Sequence, residues 1–191
     1  MKRIILASVS PRRKELLEKV GLKFTVVESK YIEKVDLKLN PHALTKKLSL
    51  GKAKAVAKNH KNSIIIAADT VVVCKNTILG KPKNKNDAKD MLEFLSNSVH
   101  FIVTGFTIID TSSGKTISKS EQTKIFMREI TSYEIDAYVK TGEPLDKAGG
   151  YAIQEIGSVF IKKIEGDFSN AVGLPIFTLI EELKNFGIKI L

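Results

Sequence analysis

The chain has no tryptophan, a single cysteine, five prolines and only four arginines among its 31 basic residues. Two of these scarcities each remove a class of function. With Cys74 alone there is no internal disulfide, and its setting, Val71-Val72-Val73-Cys74, marks a packed thiol rather than a nucleophile. Aromatic residues make up 7% of the chain, which leaves few platforms for stacking nucleic-acid bases. No stretch reaches the roughly 20 uncharged apolar residues that a membrane-spanning helix needs. The opening Met1-Lys2-Arg3-Ile4-Ile5-Leu6 meets Ser8 and Pro11 too soon for a secretory leader, so a cytoplasmic protein without membrane contact is expected. His42, His60 and His100 follow no metal-binding spacing and are assigned no role. Neither the G-x-x-x-x-G-K-[ST] loop nor the G-x-G-x-x-G fingerprint is present, which removes P-loop and Rossmann nucleotide binding.

What remains is enough for one packed domain spanning 1–191, since the 191 residues are 43% hydrophobic. The net charge is +10, but the lysines are spread along nearly the whole chain and no nucleic-acid motif accompanies them. Stable nucleic-acid binding is therefore not expected, although such a charge concentrates small polyanions near the surface. Against 27 lysines, two of the four arginines are neighbours, Arg12 and Arg13. A guanidinium grips phosphate oxygens in pairs, which an ammonium cannot do, so this placement points to a geometric need.

The elements alternate throughout, with no repeat, linker or low-complexity tract. Arg3–Ala7 reads as a buried strand, and Pro11–Val20 as a helix with proline in its first turn and Gly21 after its end. Lys23–Val27 reads as a strand, Pro41–Lys58 as a helix and Ser63–Ala68 as a strand that runs through Asp69-Thr70 into Val71–Lys75. Asn86–Ser96 is a short helix, Phe101–Ile109 and Thr116–Arg128 are long strands around the turn Thr111-Ser112-Ser113-Gly114, and Ser132–Val139 is helical. The last helix starts near Leu174-Pro175 and runs through Leu183 towards Gly187. The pattern implies a mixed twisted sheet with helices packed about it.

Four places can carry chemistry. In Ser8-Val9-Ser10-Pro11-Arg12-Arg13, serine hydroxyls, a helix start and two guanidinium groups converge, a combination suited to phosphate; capping serines and solvated arginines are the plain alternative. Asp69-Thr70 places a carboxylate inside an apolar strand, where burial calls for a partner or a metal. Glu33, Lys52 and Lys81 read in isolation as surface charges. In Glu143–Gln154, paired glycines permit close backbone approach and the Gln154 amide can both give and accept hydrogen bonds, as reading a base edge requires; a tight turn into a strand is the plain alternative.

Taken in order, SVSPRR at Ser8–Arg13, LSLGKAKAVA at Leu48–Ala57, AADTVV at Ala67–Val72, GKP at Gly80–Pro82, DKAGGYAIQ at Asp146–Gln154 and NAVGLP at Asn170–Pro175 resemble the Maf family of nucleotide pyrophosphatases. The resemblance covers almost the whole chain. It implies an α/β fold of the Maf/HAM1 (ITPase-like) type, an elongated mixed twisted sheet flanked by helices in two lobes with a central cleft, and a homodimer. It further implies hydrolysis of a nucleoside triphosphate to the monophosphate and pyrophosphate. By motif, Asp69 corresponds to the catalytic acid that accepts a proton from water, and Arg12, Thr70 and Gln154 to specificity positions. Ser8, Ser10, Arg13, Lys52 and Lys81 correspond to phosphate contacts, and Asp69 with Glu33 to ligands of a divalent cation, Mg²⁺ or Mn²⁺. Arginine after Ser-Pro, with glutamine in the later motif, is similar to members that act on dTTP and UTP. One departure is Glu155, where a glycine often follows the glutamine. Two other readings stand beside this one: a nucleotide- or nucleic-acid-binding regulator of cell division, and the same enzyme with another base preference.

Overall fold

The computed structural model describes residues 2–33, 36 and 38–190. Among the described residues, β1 (Arg3–Leu6), β2 (Thr25–Val26), β3 (Ser63–Cys74), β4 (Thr77–Leu79), β5 (Val99–Asp110), β6 (Thr116–Met127) and β7 (Ile161–Glu165) form one seven-stranded mixed sheet of order β2-β1-β3-β5-β6-β7, with β4 paired to β3. The chain divides into two compact units: Met1–Asp69 with Thr104–Glu121 and Gly173–Leu191, and Thr70–Val103 with Gln122–Val172.

In the first unit, β1 (Arg3–Leu6) lies parallel to both β2 (Thr25–Val26) and β3 (Ser63–Cys74), in the register Leu6 opposite Val26 and Ile66. Side chains of a strand alternate between its faces, and the apolar residues sort accordingly. Ile4, Leu6, Ile64, Ile66 and Ala68 pack with Leu17 of α1 (Pro11–Lys19) and with Leu179 and Leu183 of α6 (Ile176–Lys184). Ile5, Ala7, Ile65 and Ala67 pack with Ala53 and Val56 of α2 (Pro41–Ala57). Each valine, leucine or isoleucine side chain buried this way contributes about 1.5–3 kcal/mol. The connections β1-α1-β2 and β2-α2-β3 proceed in opposite directions from β1, so right-handed crossovers require α1 and α2 on opposite faces, as found. The carboxyl end of β1 is thus a topological switch point, where open α/β sheets bind ligands.

Boundaries follow local chemistry. Asn40 caps α2 by accepting from the Ala43 amide at 2.8 Å, and α1 starts on Pro11. The expected strand over Lys23–Val27 is only two residues long, Thr25–Val26; both are exposed, and the strand pairs with β1. The turn after β5 (Val99–Asp110) forms as expected: Gly114, at φ 75°, donates to the Asp110 carbonyl at 2.8 Å and leads into β6 (Thr116–Met127).

The second unit contains the later half of β3 and an antiparallel partner absent from the sequence reading, β4 (Thr77–Leu79). Lys75 and Asn76 make its two-residue turn with φ of 47° and 63°, the primed geometry that suits a twisted hairpin. Helices α3 (Lys85–Leu95) and α4 (Ser132–Lys140) are capped by Asn84 and by the Thr131–Glu134 capping box. β7 (Ile161–Glu165), antiparallel to β6, and the short α5 (Phe168–Val172) were also not anticipated. Cys74 is buried, as expected of a packed thiol. Among the described residues no helix is long and apolar enough to cross a membrane.

His100, assigned no role from sequence, is wholly buried in this unit. Its ring nitrogens lie 2.6 Å from the Tyr151 hydroxyl and 3.2 Å from the Ser98 hydroxyl, and the Tyr151 ring meets it edge-on at 5.5 Å. Burial pushes its pKa down to about 4. The unfolded chain then takes up a proton near pH 6.5 that the native fold refuses until about pH 4. Stability is therefore complete above pH 6.5 and declines on acidification through that window, by up to about 3 kcal/mol. The measurement is the urea midpoint at pH 7.5 and pH 5.0, with H100Q expected to flatten the difference.

Candidate active site

Asp69 shares the face of β3 that carries Ile65 and Ala67, the face covered by α2. Lys52 precedes Ala53, a member of that cluster, so its ammonium is delivered to the carboxylate: Lys52 Nζ donates to Asp69 Oδ1 at 2.5 Å. The same ammonium pairs with Glu33 Oε1 at 2.8 Å. Glu33 reaches it because the preceding segment lies on α2. Ser29 Oγ donates to the Lys52 carbonyl at 3.3 Å, and the Tyr31 ring fills the space a side chain at Gly51 would need. Glycine within this helix is thus a seat for the ring. Asp69 is only 7% exposed. Burial raises its pKa above the ordinary carboxylate value, opposed by Lys52 and Arg13 and assisted by Glu33.

At the carboxyl end of β1, the buried Ser8 accepts from Arg13 Nη1 at 3.2 Å and from the Ser10 amide at 3.3 Å. Arg13 Nε donates to the Gly173 carbonyl at 2.8 Å, tying the SVSPRR segment to NAVGLP. The guanidinium is therefore held by two contacts on its own unit. Burial lowers its pKa from the usual arginine value, while Asp69 raises it. Ser10 stands at the N-cap of α1, yet its side chain makes no capping hydrogen bond. Arg12 is half-buried on the first turn of the same helix. The structure so assembles Ser8, Ser10, Arg13, Glu33, Lys52 and Asp69 in the first unit, with two carboxylates on one ammonium and a fixed guanidinium in the field of the buried acid.

Thr70, Lys81 and Gln154 belong to the second unit. Thr70 follows Asp69 on β3 and is half-buried, whereas Lys81 and Gln154 are exposed. Three of the sequence segments meet in this unit. The Gly149 amide donates to the Gly80 carbonyl at 2.9 Å, and a Cβ on Gly149 would stand 2.9 Å from Val72 Cγ2. Gly149 also has φ 71°, so both conformation and space call for glycine.

Residues 3–186 match the family described as Maf-like protein. The chain belongs to the Maf family. It is 47% identical to a dTTP/UTP pyrophosphatase of Bacillus anthracis, over 100% of this chain and 98% of that one. A dTTP/UTP pyrophosphatase of Bacillus cereus (strain ATCC 10987) is likewise 47% identical, over 100% of this chain and 93% of the other. Among solved structures, a HAM1 protein from Coxiella burnetii superposes with a TM-score of 0.52 over 97% of this chain and 100% of its own, at 13% identity. That likeness concerns the fold, and it agrees with the α/β architecture the family resemblance implied.

Within this Maf-family chain, the departure at Glu155 is absorbed locally. Its backbone is extended, φ −120° and ψ −153°, a conformation open to any residue, and its carboxylate pairs with the buried Lys147 at 3.3 Å. The contribution of Gly173 lay beyond sequence reasoning, because a backbone carbonyl carries no side-chain signal.

Proposed function

We propose that this Maf-family protein is a nucleoside triphosphate pyrophosphatase that hydrolyses dTTP and UTP, serving nucleotide pool control. What supports the reading most directly is the buried Asp69 carboxylate held by Lys52 beside Glu33, in a chain 47% identical along its length to proteins named for that activity. In the reaction, a water oxygen bonds to phosphorus, the bridging oxygen between the α and β phosphates departs with pyrophosphate, and the water proton passes to Asp69. An acid whose pKa is raised above the ordinary carboxylate value is a better base for that step than a solvated one. Arg13, Lys52 and Lys81, with the Ser8 and Ser10 hydroxyls, bind the polyphosphate and offset the charge that develops on it. Arg12, Thr70 and Gln154 set the base preference.

Asp69 and Glu33 are the residues that would hold a divalent cation. Their oxygens already converge on one cationic atom, Lys52 Nζ, at 2.5 and 2.8 Å. Among the described residues no group of three or more His, Cys, Asp or Glu makes a complete cage. Two carboxylates with substrate oxygens completing the shell is the usual arrangement for Mg²⁺ rather than for a closed protein site. When bound, the ion neutralises phosphate oxygens during bond cleavage. The protein also works as a homodimer in this reading.

The test is pyrophosphate release from dTTP, UTP, CTP, GTP and 7-methyl-GTP, with Mg²⁺ or Mn²⁺ and with chelator. Metal-dependent cleavage led by dTTP and UTP is the expected result. Preference for another base overturns the pyrimidine assignment alone, and no cleavage of any triphosphate overturns the enzyme.

A further inference from the structure

The segment that carries Gln154 is tied down on both sides by a single pair of side chains. Tyr138, on α4, donates its hydroxyl to Glu143 Oε1 at 2.8 Å and accepts from the Ala152 amide at 3.4 Å. Glu143 accepts in turn from the Gly157 amide at 3.0 Å and the Ile156 amide at 3.1 Å, one on each carboxylate oxygen. Residues 153–155 are thus bracketed by hydrogen bonds at 152 and at 156–157 that end on the same two side chains. The pair is itself fixed. Tyr138 is buried and packs edge-on against Phe160 at 5.1 Å, and the Glu143 amide donates to Thr141 Oγ1 at 3.1 Å. Gly157 is required by closeness, since a Cβ there would lie 2.6 Å from the Tyr138 hydroxyl.

We propose that Tyr138 and Glu143 are positioning residues for Gln154, and that this clamp sets how sharply the enzyme distinguishes one nucleobase from another. The proposal rests on the reading of Gln154 as the residue that meets the base. The Gln154 side chain is exposed, and an amide reads a base edge only if its donor and acceptor are presented in one orientation. Three donors converge on Glu143: one hydroxyl and two amides. An ionised carboxylate is acceptor-only and satisfies all three, whereas a glutamine would turn an N–H₂ group towards at least one N–H or O–H. Burial also keeps the Tyr138 phenol protonated, its pKa raised from the ordinary value, so it remains a donor.

The experiment compares Q154A, E143Q, Y138F and the double variant Y138F/E143Q for kcat and KM with dTTP, UTP and GTP. Amide hydrogen exchange at Ile156 and Gly157 and the urea midpoint are followed in each. E143Q is expected to raise KM for dTTP and UTP about tenfold with kcat within about twofold, and to narrow the pyrimidine-to-purine ratio of kcat/KM as Q154A does. Exchange at 156–157 accelerates while the remaining amides keep their protection, which separates lost positioning from general unfolding. The double variant is no worse than E143Q, because the two side chains act through one network. If Q154A changes base selectivity while E143Q and Y138F retain it, the clamp is overturned and the reading of Gln154 stands. If Q154A leaves selectivity unchanged, the reading of Gln154 fails, and this proposal with it. Should E143Q not fold, Y138F alone decides, since it removes one hydroxyl and leaves the ring packing intact.

Discussion

On the proposed role of Asp69 as general base and cation ligand, asparagine in its place lowers kcat for dTTP at least about a thousandfold while leaving nucleotide affinity within about threefold. The substitution is nearly isosteric in a site only 7% exposed, so packing is preserved. The amide oxygen can still accept from Lys52, whose second partner, Glu33 at 2.8 Å, keeps its ammonium from being stranded. What disappears is basicity and one negative charge. Stability is not expected to suffer: burial raises the Asp69 pKa, so in the native fold the ionised form is disfavoured, and removing it relieves that cost. The midpoint of thermal unfolding should stay level or rise, the trade between function and stability seen where a site holds a charge in an unfavourable place. Turnover is read from pyrophosphate release and affinity from calorimetry with a non-hydrolysable dTTP analogue. Turnover in D69N equal to that of the parent chain would remove Asp69 from the chemistry.

The burial of Asp69 with a charged partner was legible in the sequence, because an acid inside an apolar β-branched run needs one, and the strand proved continuous from Ser63 to Cys74. The principal helices were legible through apolar spacing, initial prolines and terminal glycines, and their ends fall within a residue or two of expectation. Short elements were not. β4 is three residues long, and the turn before it, Lys75-Asn76, lacks the glycine that normally announces a primed hairpin. β7 reads Ile-Lys-Lys-Ile-Glu and takes its existence from pairing with β6, a property of tertiary context. Partnership was the least legible feature. Nothing in composition selects Lys52 from 27 lysines. That choice is made by the face of β3 on which Asp69 falls and by Gly51 accepting the Tyr31 ring, which brings Glu33 to the same ammonium. The Tyr138–Glu143 clamp is likewise invisible in one dimension, because two of its three acceptances on the carboxylate come from backbone amides.

Lysine in place of Arg13 lowers kcat/KM for dTTP about a hundredfold, comparable to removing one fixed donor from a site that stabilises developing negative charge. The reason is geometric. Arg13 uses Nε on the Gly173 carbonyl at 2.8 Å and Nη1 on Ser8 Oγ at 3.2 Å, so the planar fork is oriented by the protein itself. An ammonium on a flexible stem can replace one of these contacts, and then has no rigid second edge to present to a phosphate. Burial compounds the loss. It already lowers the arginine pKa, which starts so high that the charge survives, whereas a lysine desolvated in the same place gives up its proton far more readily. Part of the effect should therefore return as the pH is lowered towards 6.5, where the lysine recovers charge, while R13A shows no such recovery. K14A, a change at an exposed neighbour on the same helix, serves as the control and should leave kcat/KM within about twofold, as surface substitutions usually do. Steady-state rates for the three variants between pH 6.5 and 8.5 decide the matter. An R13K rate within threefold of the parent at all pH values would mean that charge alone suffices, and that the fork held by Ser8 and Gly173 supports the fold rather than the phosphate.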